Sequence, residues 1–187
     1  AFPSDPTQWS DVDGDGFGDN SSGNDADECP TVAGTSTVDR LGCVDSDGDG
    51  YSDPDPNTNW LPAQGADAFP NEPTRWADQD IDSYGDNPAG VRADDCPTVR
   101  GSSTTDRLGC VDNDGDGYSD ASGDWTVLQG ADACPLIYGF STADRIGCLD
   151  TDEDNYSDPT VDYGVEDGAD AYPNDPTRWI LEPEEET

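Results

Sequence analysis

Apolar residues along this chain never settle into a helical stripe. After Asp19, Asp53 and Asp120 the sequence continues in Asn, Ser, Gly and Pro, where an amphipathic helix would need apolar residues three and four apart. No apolar run approaches the length of a membrane span. A polar pattern recurs instead, with acids at alternate positions, then an aromatic, then another acid. The pattern predicts a mostly irregular, loop-rich chain with little regular secondary structure. The one regular element it suggests is short. Ser36-Thr-Val-Asp39, Ser103-Thr-Thr-Asp106 and Ser141-Thr-Ala-Asp144 precede Arg, an aliphatic residue and Gly, which suits a single capped helical turn ended by Gly42, Gly109 or Gly147.

The acidic pattern occurs five times, starting at Asp11, Asp45, Asp78, Asp112 and Asp150. Positions 3 and 5 are Asp13 and Asp15, Asp47 and Asp49, Asp80 and Asp82, Asp114 and Asp116, and Asp152 and Asp154. Position 7 is Phe17, Tyr51, Tyr84, Tyr118 or Tyr156, and position 9 is Asp19, Asp53, Asp86, Asp120 or Asp158. Two kinds of connector join the copies, and both repeat. Ala1-Phe-Pro-Ser-Asp-Pro-Thr-Gln-Trp9 returns as Ala68 to Trp76 and as Ala171 to Trp179. Cys29 to Cys43 returns as Cys96 to Cys110 and, more loosely, as Cys134 to Cys148. The chain therefore divides into a two-loop unit at 1–67, a second at 68–132, a half unit at 133–170, and the start of a further unit with an acidic tail at 171–187.

Composition changes how this pattern is read. The net charge is -37, from 44 acids against seven bases, all of them Arg, while Leu, Ile, Val and Phe together number only 25 of 187 residues. By composition alone such a chain is disordered. Ligand spacing kept five times over argues instead for a protein whose core is replaced by ions. Adjacent carboxylates repel by about 1 kcal/mol per pair at 4 Å in water, and by more in a drier site. Hard oxygen ligands at positions 1, 3 and 5, a backbone carbonyl at 7 and a turn-making Gly at 6 describe a calcium loop. The expected cofactor is calcium, at least one ion in each of five loops. The acidity excludes nucleic acid as a partner, and anionic membranes with it.

Each loop needs a further acid. An EF-hand supplies Glu at position 12, where this chain has Ser22, Pro56, Ala89, Gly123 and Val161. The natural substitute is the Asp of a recurring Ala-Asp-x-(aromatic or Cys)-Pro segment, namely Asp27, Asp67, Asp94, Asp132 or Asp170. The insert before it is expected to bulge outward. Trp60, Trp125 and Tyr163, each five residues before the Gly of Gly-Ala-Asp, are read as lids over the ion cluster, with carbohydrate stacking as the alternative. Position 6 is Ser83 in the third loop and Asn155 in the fifth. Ser accepts the left-handed conformation less readily than Gly or Asn, so the third loop is expected to be distorted or weak.

Asp-x-Asp-x-Asp-Gly followed by Asp-x-Cys-Pro, as in Asp11 to Asp15 with Asp27-Glu-Cys-Pro30, resembles the thrombospondin type 3 repeats, particularly divergent forms from secreted bacterial and archaeal surface proteins. The resemblance runs from residue 1 to about 179. It implies an elongated tandem array of calcium-binding loops, often with two ions per motif, stapled by disulfides, with the alternating acids and the closing Asp as ligands. The chain departs from that pattern in its long inserts and in Phe69 and Tyr172, which replace Cys in two closures. Dockerin and EF-hand modules are excluded by the absence of a helix after the ligands.

Equal spacing pairs Cys29 with Cys43, Cys96 with Cys110 and Cys134 with Cys148. Each disulfide closes a loop of about 15 residues, worth about 3 kcal/mol by chain entropy. Zinc is the weaker reading, since His is absent. Disulfides imply an extracellular location, secreted or at the cell surface, where calcium is plentiful. Asn20-Ser-Ser and Asn155-Tyr-Ser are glycosylation sequons. With no Met, Ala1 is not a translation start, so the chain reads as a processed product or an excerpt. With no His, no Lys and its Cys in disulfides, the chain is not an enzyme. The function expected is a calcium-stabilised structural rod or filament subunit, self-associating or continued in a longer array. The alternatives are a calcium-dependent adhesion module and a spacer appended to a secreted enzyme.

Overall fold

The computed structural model describes residues 2–181. Among these the only helical elements are three 3-10 turns, at Pro62–Gln64, Val127–Gln129 and Val165–Asp167. Extended pairing is limited to the isolated bridges Gly18 with Ala26, Asp55 with Trp60, Gly85 with Ala93 and Ser122 with Trp125. The loop-rich expectation holds. The chain forms two compact units, divided between Thr98 and Val99.

Neither unit has an aliphatic core. The most deeply buried side chains are Asp67, Asp132, Asp170, Cys110, Cys148 and six serines. Backbone hydrogen bonds and cross-links hold such an interior together. Cys29 joins Cys43 and Cys134 joins Cys148, with Cα atoms 5.1 and 5.0 Å apart, and Cys96 and Cys110 are disulfide-bonded as well.

The Cys-flanked connector does not make the helical turn its sequence suggests. Ser36 Oγ donates to the Arg40 carbonyl and accepts the Cys43 N–H, and Ser103 and Ser141 repeat this. Asp39 turns away from its own segment and accepts both the N–H and the hydroxyl of Ser52, as Asp106 does from Ser119 and Asp144 from Ser157. A serine and an acid that could cap a helix are thus spent on bridging to the loop that follows. Gly34, Gly101 and Gly139 let the backbone close on itself, since a Cβ there would lie about 2.0 Å from backbone atoms of Cys43, Cys110 and Cys148.

The Pro/Trp connector closes by a bond from the Ala68 N–H to the Trp76 carbonyl, repeated between Ala171 and Trp179. Trp76 stacks on Tyr51 with ring centres 5.1 Å apart, and Trp179 stacks on Tyr156 at 5.3 Å. Position 7 of one loop thereby becomes the seat of the connector after it.

Candidate metal centre

Each loop is shaped first by its own acids. The position 1 carboxylate accepts the N–H groups of positions 4 and 6, as Asp45 does from Gly48 at 2.7 Å and Gly50 at 3.0 Å. Asp11, Asp78, Asp112 and Asp150 do likewise. This folding requires positive φ at both donors. Glycine supplies it in three loops, whereas the third uses Ile81 at 63° and Ser83 at 81°, and the fifth uses Glu153 at 64° and Asn155 at 78°. The third loop is therefore strained and keeps the shared geometry, instead of being distorted. Position 4 carries the same demand as position 6.

The next acids follow the same economy. Oδ1 of position 5 accepts the position 7 N–H at 2.8–2.9 Å in all five loops. The position 9 acid accepts the position 2 N–H, as Asp19 does from Val12, Asp53 from Ser46, Asp86 from Gln79, Asp120 from Asn113 and Asp158 from Thr151. The acids at 1, 3 and 5 of every loop offer oxygens within 4.8 Å of one another.

The closing aspartates complete the arrangement. The backbone N–H of Asp27, Asp67, Asp94, Asp132 and Asp170 donates to the carbonyl of loop position 8 at 2.9 Å in every copy. Oδ1 of each accepts the N–H two residues on at 2.6–2.7 Å. Oδ2 of each is buried without a hydrogen-bond partner. The position 3 acids Asp13, Asp47, Asp80, Asp114 and Asp152 also bury unpartnered oxygens, as do Asp49, Asp86 and Asp154. Among the described residues, every such orphaned acceptor belongs to a loop acid. Buried polar atoms are ordinarily satisfied, so these oxygens mark where a cation fits. No hydrogen bond among the described residues ends on the carbonyls of Phe17, Tyr51, Tyr84, Tyr118 or Tyr156, which keeps position 7 available as well.

Electrostatics show the same convergence. Burial pushes the carboxyls of Asp67 and Asp132 up to about 7 and that of Asp94 up to about 6; a backbone N–H opposes the shift, and the acids at positions 5, 3 and 9 add to it. Asp27 and Asp170 are raised by the same causes. The donor set is anionic oxygen without imidazole or free thiolate, which suits calcium far better than zinc. Asp11, Asp45, Asp78, Asp112 and Asp150, with their partners at 3, 5 and 9 and the closing Asp, are the residues that would hold it.

The five loops fall into two classes. The loops at Asp11 and Asp78 follow a Pro/Trp connector, carry Gly18 or Gly85 at position 8, and rest on the buried side chain of Gln8 or Arg75. The other three follow a Cys connector and carry buried Ser52, Ser119 or Ser157 at position 8, held by Asp39, Asp106 or Asp144. In this class the insert contains the 3-10 turn just before Gly-Ala-Asp. Trp60 and Trp125 pack against the loop by donating their indole N–H to Ser52 and Ser119 at 2.8 and 2.9 Å. The guanidiniums of Arg40, Arg107 and Arg145 stand over the rings of Trp60, Trp125 and Tyr163. Comparison of the chain with protein-family models and with characterised proteins found no match.

Proposed function

We propose that this chain is a calcium-stabilised extracellular structural repeat protein, a rod or filament subunit on or outside the cell surface, of the thrombospondin type 3-like kind. One observation carries the reading. All five closing aspartates bury an unpartnered oxygen beside acids that already repel it, and a divalent cation removes both penalties at once. A fold with so little apolar interior then gains its stability from metal binding. Three disulfides, and no described helix long and apolar enough to cross a membrane, agree with an extracellular setting. Self-association follows from the linear-array reading, in which repeats bury surface only against neighbours.

The test is to follow hydrodynamic radius and near-UV dichroism in calcium and in chelator, and to image both samples. Calcium should give compact particles joined into fibres, and chelator an expanded chain. An unchanged radius in chelator would sink the metal role, and discrete monomers in calcium would sink the filament.

A further inference from the structure

The connector at the start of the chain and the one at 68–76 share a motif, but Gln8 stands where the second has Arg75 and the third Arg178. Arg75 is buried, with its guanidinium carbon 3.7 Å from the centre of the Phe69 ring. Its Nη1 pairs with Glu72 at 3.0 Å, and its Nη2 donates to the Ser83 carbonyl at 2.5 Å. The stem passes Gly85, where an added Cβ would lie 2.9 Å from Nε. Arg178 covers Tyr172 at the same 3.7 Å. A further guanidinium, Arg92, lies 5.2 Å from the centre of the Tyr84 ring.

Around the first loop, the counterparts of Phe69, Glu72, Ser83, Gly85 and Tyr84 are Phe2, Asp5, Gly16, Gly18 and Phe17, and the counterpart of Arg92 is Asp25. Both cations are missing there. Gln8 is the shorter side chain and is spent on the backbone, donating to the carbonyls of Asn20 and Asn24 and accepting the Asn20 N–H. A cavity of about 370 Å³ opens where the guanidinium would reach, lined by those same residues, Phe2, Asp5, Gly16, Phe17, Gly18 and Asp25 among them.

We propose that this cavity binds an arginine side chain presented by a basic segment of another protein, which takes the place that Arg75 fills from within. A planar guanidinium can stack on a ring while donating in its plane to a carboxylate and a carbonyl, and a lysine ammonium cannot match that geometry. Asp5 is held ionised by hydrogen bonds from the Thr7 hydroxyl and N–H. The charge of -37 favours the approach of a basic segment. The inference rests on the calcium reading only in that the first loop must be folded.

The experiment titrates N-acetylarginine amide into the calcium-loaded, isotopically labelled full chain. Saturable shifts at Gly16, Phe17 and Gly18 are expected, with at least tenfold weaker binding of the citrulline analogue, which keeps the shape but loses the charge. Gln8→Arg, which supplies the missing cation internally, should weaken binding at least tenfold while diffuse cation binding elsewhere persists. Asp25→Asn provides a second variant at an exposed position and should weaken binding in the same direction. Shifts that never saturate, equal binding of citrulline, or unchanged affinity in both variants would overturn the proposal. Self-association competed by the probe and lost in Gln8→Arg would overturn the foreign partner by making a second copy the donor. A calcium titration of the same sample separates the two readings: a chain that takes up no calcium refutes the scaffold, and a loaded chain that ignores arginine refutes only this site.

Discussion

A carboxylate buried among other carboxylates stays ionised only where something balances it. Asp67 and Asp132 are pushed up to about 7 chiefly by burial, so without metal each carries a proton through much of the range where the unfolded chain, with carboxyls near 4, carries none. The metal-free fold therefore binds more protons than the unfolded chain between about pH 4 and pH 7, and its stability falls as pH rises through that window. Calcium binding runs the other way and must expel those protons. Asp132→Ala should lower the calcium affinity of its loop, measured by calorimetric titration at pH 6.5. An unchanged affinity would contradict the shared site. Ile81 makes the second case at this scale. A β-branched residue at φ 63° is strained, and its side chain is exposed, so it gains little from packing. Ile81→Gly should raise stability by about 1 kcal/mol, the relief of left-handed strain less the backbone entropy of Gly. A lower melting temperature in calcium would count against it.

At the scale of elements, the connector before each loop selects how that loop is supported. Where a Cys connector comes first, Asp39, Asp106 or Asp144 grips the position 8 serine, and in two copies that serine also receives an indole N–H. Ser119→Ala leaves the Trp125 indole N–H without its acceptor and Asp106 Oδ2 without its hydroxyl donor, while the backbone N–H of residue 119 still reaches Asp106 Oδ1, at a cost of about 1–3 kcal/mol for groups partly withdrawn from water. The measurement is chemical denaturation in calcium, with Trp125 emission shifting to the red at lower denaturant than in the parent chain. The acids at 1, 3, 5 and 9 and the cysteine pairs were legible in the sequence because each repeats at fixed spacing, and the closing Asp because its flanking Ala-Asp-x-(aromatic or Cys)-Pro segment recurs although the insert before it varies in length. The serine bridge was not, because its partners lie 13 residues apart and the acid looked like part of a helix cap.

For the whole molecule, charge and burial pose one problem. The net charge of -37 opposes compaction, and the buried set of Asp, Ser, Cys and Ala offers little hydrophobic driving force. Sodium chloride at 1 M shortens the screening length to about 3 Å and relieves long-range repulsion. It cannot satisfy the orphaned oxygens, which need a ligand at bonding distance. In chelator, then, 1 M sodium chloride should contract the chain without restoring near-UV dichroism, whereas millimolar calcium should restore both. Recovery of the full spectrum by salt alone would reduce the role of calcium to screening.

The sequence by itself determined the parts that local chemistry dictates. Asp at alternate positions bends the chain by accepting its own N–H groups, Gly at positions 4 and 6 permits that bend, and cysteines 14 residues apart meet when the intervening segment folds back. Only the tertiary structure decided what each side chain faces. Arg40 and Arg145 could have met any of 44 acids, but the half-buried ring beside each is the partner that packing brings near. Ser36 and Asp39 carried a helix-cap signature that lost to a bond with the next loop, since a single helical turn stabilises less than a buried bridge. Gln8 and Arg75 occupy the same place in the repeat, and only their surroundings reveal that one fills its pocket and the other leaves it open.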